Sequence, residues 1–189
     1  MSFKNYRINK NDWYFKIAKD MALRSSCLTR RRFGAILVKN DVIISTGYAG
    51  TIRGAKNCGV DMPCLKDLHR EEPNKSYEHC GSIHAEMNCI INAARNGIST
   101  LEATLYLSEV NNNNGRPCYL CRRFLVNAGV KDCYYYIPIP ENKRITDKDM
   151  TYIDETFFLI VHEQVSDWVK LENEWLNEQL ENGLHSQNL

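Results

Sequence analysis

The sequence predicts an α/β fold in which one central sheet is covered by helices. Three observations point there. β-branched runs alternate with segments of helical period, Gly, Pro and Asn stand where turns are needed, and 189 residues with a 43% hydrophobic fraction suffice for one globular core. Neither an internal repeat nor a linker calls for a second domain. The expectation is a single domain over 1–189, with a C-terminal extension over about 140–189.

From Asn11 or Asp12 as N-cap, "WYFKIAKDMALRSS" carries apolar residues at helical spacing and forms the first predicted helix. "FGAILV" and "VIISTGY", separated by the polar turn "KNDV", read as a hairpin. From about Ala49 to Ser82 no period is visible, and so long a loop in a compact domain is expected to be functional or to be held by something such as a metal. "SIHAEMNCIINAARNG" reads as a helix with Ser82 as N-cap, Ile83, Met87, Ile90, Ile91 and Ala94 on one face, and Gly97 as its stop. "ATLYLSE" is a strand. After "VNNNNGR", Pro117 opens a helix that "CYLCRRFLVNA" continues and Gly129 ends. "CYYYIPI" and "ETFFLIV" read as further strands. "SDWVKLENEWLNEQLE" reads as an amphipathic helix with Trp168, Leu171, Trp175, Leu176 and Leu180 near one face. That helix is expected to pack on its own domain, and a subunit contact anchored by its two tryptophans is the alternative.

Composition narrows the function. A formal net charge of +1 gives no global field to hold nucleic acid, so phosphate binding must come from local clusters such as "TRRRF". No stretch is long and apolar enough for secretion or for a membrane span, so a cytoplasmic protein without membrane or polynucleotide partners is expected. Eight cysteines in a chain of this size point to metal ligands and buried thiols rather than to disulfides. Cys89 and Cys133, amid apolar neighbours, read as small core residues.

The chemistry concentrates in two short stretches. Cys118 and Cys121 lie three apart at a helix start, where both sulfurs face one point and the helix dipole favours thiolates. Alone, such a pair is equally a redox couple or half of a structural zinc site. In "HAE", the ring of His84 reaches a metal from the first helical turn, while Glu86 points beside it and is free to handle protons. His84, Cys118 and Cys121 as three protein ligands leave a fourth tetrahedral position open, the arrangement of catalytic zinc, which lowers the pKa of water to about 7. Together "HAE" and "PCYLC" match H-x-E…P-C-x-x-C, the signature of zinc nucleobase deaminases.

Over about Ala18 to Tyr136 the chain resembles the deoxycytidylate deaminases within the cytidine deaminase superfamily. The likeness rests on "SSCLTRRRFGAILVKNDVIISTGYAGTIRGAKNC", "IHAEMNCI", "ATLYLSE", "PCYLC" and "NAGVKDCYYY". The resemblance implies a three-layer α-β-α fold with a mixed sheet and hydrolytic conversion of dCMP to dUMP with release of ammonia. It also implies a homo-oligomer, hexamer or dimer. Carried onto matching positions, His84, Cys118 and Cys121 bind zinc and Glu86 is the proton shuttle. The same comparison makes Arg30, Tyr48, Ala49, Gly50, Arg53 and Ala85 substrate-binding candidates, with Arg30 and Arg53 suited to phosphate. It implies a second, structural zinc held by ligands from Cys27, Cys58, Cys64, His79 and Cys80, with His69 nearby.

The sequence departs from the family at two places. Ala49 in "TGYAG" stands where the family has an asparagine that contacts the sugar, and "EVNNNNGRPC" replaces a shorter, less polar approach to the Pro-Cys pair. Both leave room for a different or modified cytosine nucleotide, or another amino-heterocycle, as substrate. A non-catalytic zinc-held binding module is the third reading, and it leaves Glu86 without a purpose.

Overall fold

The structure, a computed structural model, describes residues 7–28, 30–70, 79–111, 115–139, 150–153 and 156–186. Its first helix, α1 (Lys10–Leu23), is capped by Asn9, whose side chain accepts a hydrogen bond from the Asn11 backbone N–H at 2.9 Å. The cap therefore precedes both expected positions, and Asp12 instead lies in the first turn, where its charge favours the positive helix end. β1 (Phe33–Lys39) and β2 (Val42–Tyr48) form the expected hairpin. Asn40 and Asp41 take φ of 50° and 62°, the left-handed pair that a tight two-residue turn demands and that these side chains tolerate.

The long segment after β2 contains small elements that its composition hides. β3 (Gly50–Thr51) pairs with β4 (Ser82–Ile83), and a one-turn helix, α2 (Leu65–Leu68), lies between them. Next come α3 (Ala85–Arg95), β5 (Thr104–Glu109), α4 (Tyr119–Asn127) and β6 (Asp132–Ile137), in the order the sequence predicts. Gly97 and Gly129, with φ of 65° and 68°, follow the two helices as C-terminal stops. β7 (Met150–Ile153), β8 (Thr156–Gln164) and α5 (Asp167–Ser186) complete the chain. β7 had no counterpart in the sequence reading. Residues 112–114 of the asparagine-rich stretch and Glu155 at the head of "ETFFLIV" lie outside the described residues.

The six strands form one mixed sheet in the order β2-β1-β5-β6-β8-β7. Only β5 and β6 run parallel, and α4 supplies the crossover that a parallel pair needs. α1 covers one face, where Phe15 and Ala18 pack with Ile36, Tyr106 and Tyr136. α3, α4 and α5 cover the other, where Ala85, Cys89, Leu125 and Trp168 meet Leu105 and Leu107. This is the three-layer α-β-α architecture. Cys89 and Cys133 are fully buried, as expected of core thiols.

Two helices present faces other than those expected. In α3 the buried residues are Ala85, Glu86, Cys89 and Ala93, whereas Ile91 is 44% exposed and Ala94 is exposed too. The cause is backbone proximity: a Cβ on Gly47 of β2 would lie 2.9 Å from the Cys89 Cα, so the helix must sit on the strand through its smallest residues. In α5, Trp168 is 4% exposed and its indole N–H donates to Glu163 at 2.9 Å, but Leu171, Trp175, Leu176 and Leu180 are 39–65% exposed. The helix therefore packs on its own domain through its start, and beyond that Arg123 of α4 bonds Glu172 at 2.9 Å and lies over the Trp175 ring at 5.3 Å.

Candidate metal centre and pocket

Both chemistry-bearing stretches end up as helix caps. His84 is the N-cap of α3 and Cys118 the N-cap of α4, so Ser82, the expected cap, instead belongs to β4. Cys118 Sγ accepts from the Cys121 backbone N–H at 3.5 Å, which closes the start of α4 and sets the two sulfurs side by side. α3 is held on β2 by three polar ties. The Ser45 hydroxyl donates to the Cys89 carbonyl at 2.7 Å, Asn88 donates to the Tyr48 carbonyl at 2.8 Å, and Asn92 donates to the Thr46 carbonyl at 2.7 Å. These side chains fix the height of His84 above the sheet. Nothing in the sequence marks Asn88 and Asn92 beyond their four-residue spacing.

His84 Nδ1 lies 3.4 Å from Cys118 Sγ and 3.3 Å from Cys121 Sγ. Among the described residues this is the only group of three or more His, Cys, Asp or Glu donors whose ligating atoms all fall within 4.8 Å of one another. Zinc with Zn–S of about 2.3 Å and Zn–N of about 2.0–2.1 Å at tetrahedral angles places its donors about 3.5 Å apart. The triangle present here fits that ion, and three ligands leave one corner for solvent or substrate.

The Cys118 thiol is pulled far down, first by its hydrogen bond with Cys121 and then by His84, and sharing that proton pushes Cys121 up. His84 is raised by the Cys118 hydrogen bond against the opposing effect of burial. Glu86 is 4% exposed in the first turn of α3, where burial raises its carboxyl while the His84 charge opposes the rise. A carboxyl raised by burial holds its proton more readily than a free one, which suits a group that carries protons beside a metal site.

Above this centre opens a cavity of about 520 Å³. Of the substrate-binding candidates, Arg30, Ala49 and Ala85 line it together with His84 and Glu86. Tyr48, Gly50 and Arg53 line a separate cavity of about 330 Å³, and the Arg53 guanidinium donates to the Asn92 side chain at 2.6 Å. Arg30 is engaged by Asp67 at 2.7 Å and by Cys64. Arg31, Phe33, Lys66 and Arg116 also line the large cavity; Arg31 and Phe33 belong to the "TRRRF" cluster that the sequence offers for phosphate, whereas nothing in the sequence marked Lys66.

Cys27 and Cys80 line the same cavity, and Cys64 lines another. Burial and then the Cys80 charge raise Cys27, while burial and then Cys64 raise Cys58 to about 11. The His79 ring stacks on His69 at 4.2 Å.

The model of the cytidine and deoxycytidylate deaminase zinc-binding region matches residues 8–137. The ComE operon protein 2 of Bacillus subtilis is 33% identical, over 68% of this chain and 60% of its own length. The deoxycytidylate deaminase of Schizosaccharomyces pombe is 30% identical, over 69% of this chain and 38% of its own length. This chain thus spans less than two thirds of either relative. The deoxycytidylate deaminase of Mycobacterium phage D29 is 29% identical, over 68% of this chain and 97% of its own length. Among solved structures, the dCMP deaminase from the cyanophage S-TIM5 in complex with dCMP and dUMP superposes with a TM-score of 0.51 at 30% identity, over 66% of this chain and 78% of that one. The cytidine deaminase from Burkholderia pseudomallei shares the fold, with a TM-score of 0.50 at 13% identity over 82% of this chain and 92% of that one.

Proposed function

The chain belongs to the cytidine and deoxycytidylate deaminase zinc-binding family, and from that premise we propose that it converts dCMP to dUMP by hydrolysis, with release of ammonia. The observation that carries the reading is the His84–Cys118–Cys121 triangle with the buried Glu86 carboxylate at its side. Relatives named deoxycytidylate deaminase support the nucleotide as substrate.

His84 Nδ1, Cys118 Sγ and Cys121 Sγ would hold the ion. Zinc bound there supplies Lewis acidity, which brings the pKa of a water ligand to about 7. Glu86 takes the proton of the attacking water and delivers it to N3 of the cytosine ring, then serves the departing amine. One C–O bond forms at C4, the C4–N bond breaks, ammonia leaves, and the cytosine becomes uracil on an intact nucleotide. Burial of Glu86 would keep bulk water from that proton, and its place in the first turn of α3, two residues after His84, supports the role. The test is a panel of cytosine nucleotides, nucleosides and modified bases followed by mass spectrometry, with Glu86→Ala as control. Turnover of dCMP that is lost in the variant and lost on chelation supports the proposal, while a protein that keeps its zinc and turns over nothing refutes it.

A second substrate reading rests on Ala49, which is 5% exposed, lines the cavity and offers no side-chain polar group where the family has asparagine. It predicts that a different or modified cytosine nucleotide outcompetes dCMP in the same panel. We further propose a structural zinc on Cys27, Cys58, Cys64 and Cys80, supported by the mutual influence of their thiols. Two zinc ions per chain by elemental analysis are expected, and one refutes it. The apolar strip of α5, with Phe124 of α4 43% exposed nearby, supports a homo-oligomer, to be read by sedimentation. Eight free cysteines suit the reducing cytoplasm, and among the described residues no helix is long and apolar enough to cross a membrane.

A further inference from the structure

Arg122 and Arg123 are neighbours in α4, yet only one of them is matched by an acid. Arg123 is committed to Glu172 of α5, whose carboxylate lies 2.7 Å from its guanidinium. Arg122 is 9% exposed, and its Nε is buried with no hydrogen-bond partner among the described residues. No carboxylate among them pairs with it either. Its guanidinium lies over the ring of Tyr119, three residues earlier in the same helix, at 4.2 Å. A ring face attracts a cation, but it leaves the planar fork of N–H groups without the oxygen acceptors that fork is shaped for. Burial of a charge without a counterion opposes folding, so a guanidinium placed in this way points to a ligand.

Arg122 lines a cavity of about 260 Å³ between α4 and α5. Helical spacing builds it: Arg122 and Val126 are four apart on α4, and Trp168, Leu171 and Glu172 are three and four apart on α5. Val126, Trp168, Val169 and Leu171 supply apolar wall, while the charged lining is two arginines against one glutamate, which leaves one net positive charge. Glu172 is already taken by Arg123, so the charge to be met is that of Arg122. A dianionic phosphate would exceed it and press against the Glu172 carboxylate. A carboxylate matches it, with one negative charge and two oxygens for the fork. The volume falls below the roughly 300–1,000 Å³ of a drug-sized site, so the molecule carrying that carboxylate is small. We propose that the groove between α4 and α5 is a second ligand site, which binds a small carboxylate with an aromatic or branched apolar body, its acid on Arg122 and its body against Trp168 and Val169. This site shares no lining residue with the cavity above the metal centre, and it stands whatever that centre turns over.

The test titrates the zinc-loaded full chain with 3-phenylpropionate and with its amide, which keeps the shape and removes the charge, and reads binding by calorimetry. Two variants accompany wild type. Arg122→Met keeps the apolar stem and removes the fork, whereas Val169→Trp fills the groove from α5 and leaves Arg122 as it is. Wild type should bind one acid per chain, about 10- to 100-fold tighter than the amide, as a charge-assisted contact predicts. Both variants should lose that preference while zinc content stays unchanged. Acid and amide bound equally by wild type overturn the proposal, because the cation is then not the contact. Acid bound equally by all three proteins also overturns it, since the molecule then sits on the metal or elsewhere on the surface. Sedimentation of wild type and Arg122→Met separates a free ligand from a neighbouring chain. The same species in both sustains the proposal, and a smaller species in Arg122→Met overturns it by making a partner's acid the counterion. Should Arg122→Met fail to fold, the amide and Val169→Trp decide the question between them.

Discussion

Gly47→Ala tests whether contact between α3 and β2 sets the metal geometry. The added methyl would lie 2.9 Å from the Cys89 Cα and within the van der Waals surfaces of the Ala85 carbonyl oxygen and the Cys89 nitrogen. Carbon atoms rest about 3.5–4.0 Å apart, so α3 must retreat by about 0.6–1.1 Å. That retreat carries His84 and Glu86 with it, while Cys118 and Cys121 stay with α4. His84 Nδ1 starts 3.3 and 3.4 Å from the two sulfurs, and metal sites tolerate about 0.2 Å. Displacement of about 1 Å at a reacting group costs about 10²-fold in rate. Overpacking itself costs about 1–3 kcal/mol, or a Tm drop of about 2–12 °C for a chain of this length. Gly34→Ala is a matched control, because its Cβ would lie 2.9 Å from the Ala22 Cα of α1, on the opposite face of the sheet. Both variants should lose Tm, but only Gly47→Ala should lose zinc affinity, read by chelator competition, and kcat/KM by about 10²-fold. Equal activity losses in the two variants, or unchanged zinc affinity in Gly47→Ala, would refute the reasoning.

Glu86→Gln keeps the shape of the side chain and removes its proton transfer, so kcat should fall about 10²- to 10⁴-fold with zinc content unchanged in elemental analysis. Tyr136→Phe removes a fully buried hydroxyl that donates to the Glu109 carbonyl at 2.7 Å, accepts from the Glu109 N–H at 3.2 Å and bonds the Ser108 hydroxyl at 2.9 Å. The groups left unpaired should cost about 1–3 kcal/mol in urea unfolding, with the slope of the transition unchanged. Burial pushes the Cys89 thiol up to about 12, so at pH 8 it stays protonated. Peptide mapping after iodoacetamide treatment should find Cys89 unmodified in the native protein and modified in urea.

The metal centre was legible because each half of it is local. "HAE" and "PCYLC" each announce donors at a helix start, and their convergence follows from the α/β order. What places those halves was less legible. The buried face of α3 was assigned by its larger apolar residues, yet proximity to Gly47 favours Ala85, Cys89 and Ala93, a reversal visible only once strand and helix are adjacent. The cap of that helix was taken two residues early because serine is the better capping side chain, whereas His84 occupies the position with its ring turned to the thiols. Lys66 passed unnoticed, since a lysine in a loop without period reads as solvated until the fold brings it over the cavity. β7 follows a stretch with no alternation to mark it, and among the described residues the strand it pairs with is the one after it.

The pairing of β8 with β6 bears on where the molecule can be cut. The match to the family model ends at residue 137, at the end of β6, yet six residue pairs from Asp132↔Gln164 to Ile137↔Leu159 join that strand to the C-terminal third. A fragment trimmed to the conserved core would leave β6 as a bare margin, with its amides and carbonyls open to another chain. Such a truncation should therefore assemble edge to edge and precipitate, although it would retain every metal donor. For this protein the end of the family match and the boundary of a self-sufficient folding unit are different places.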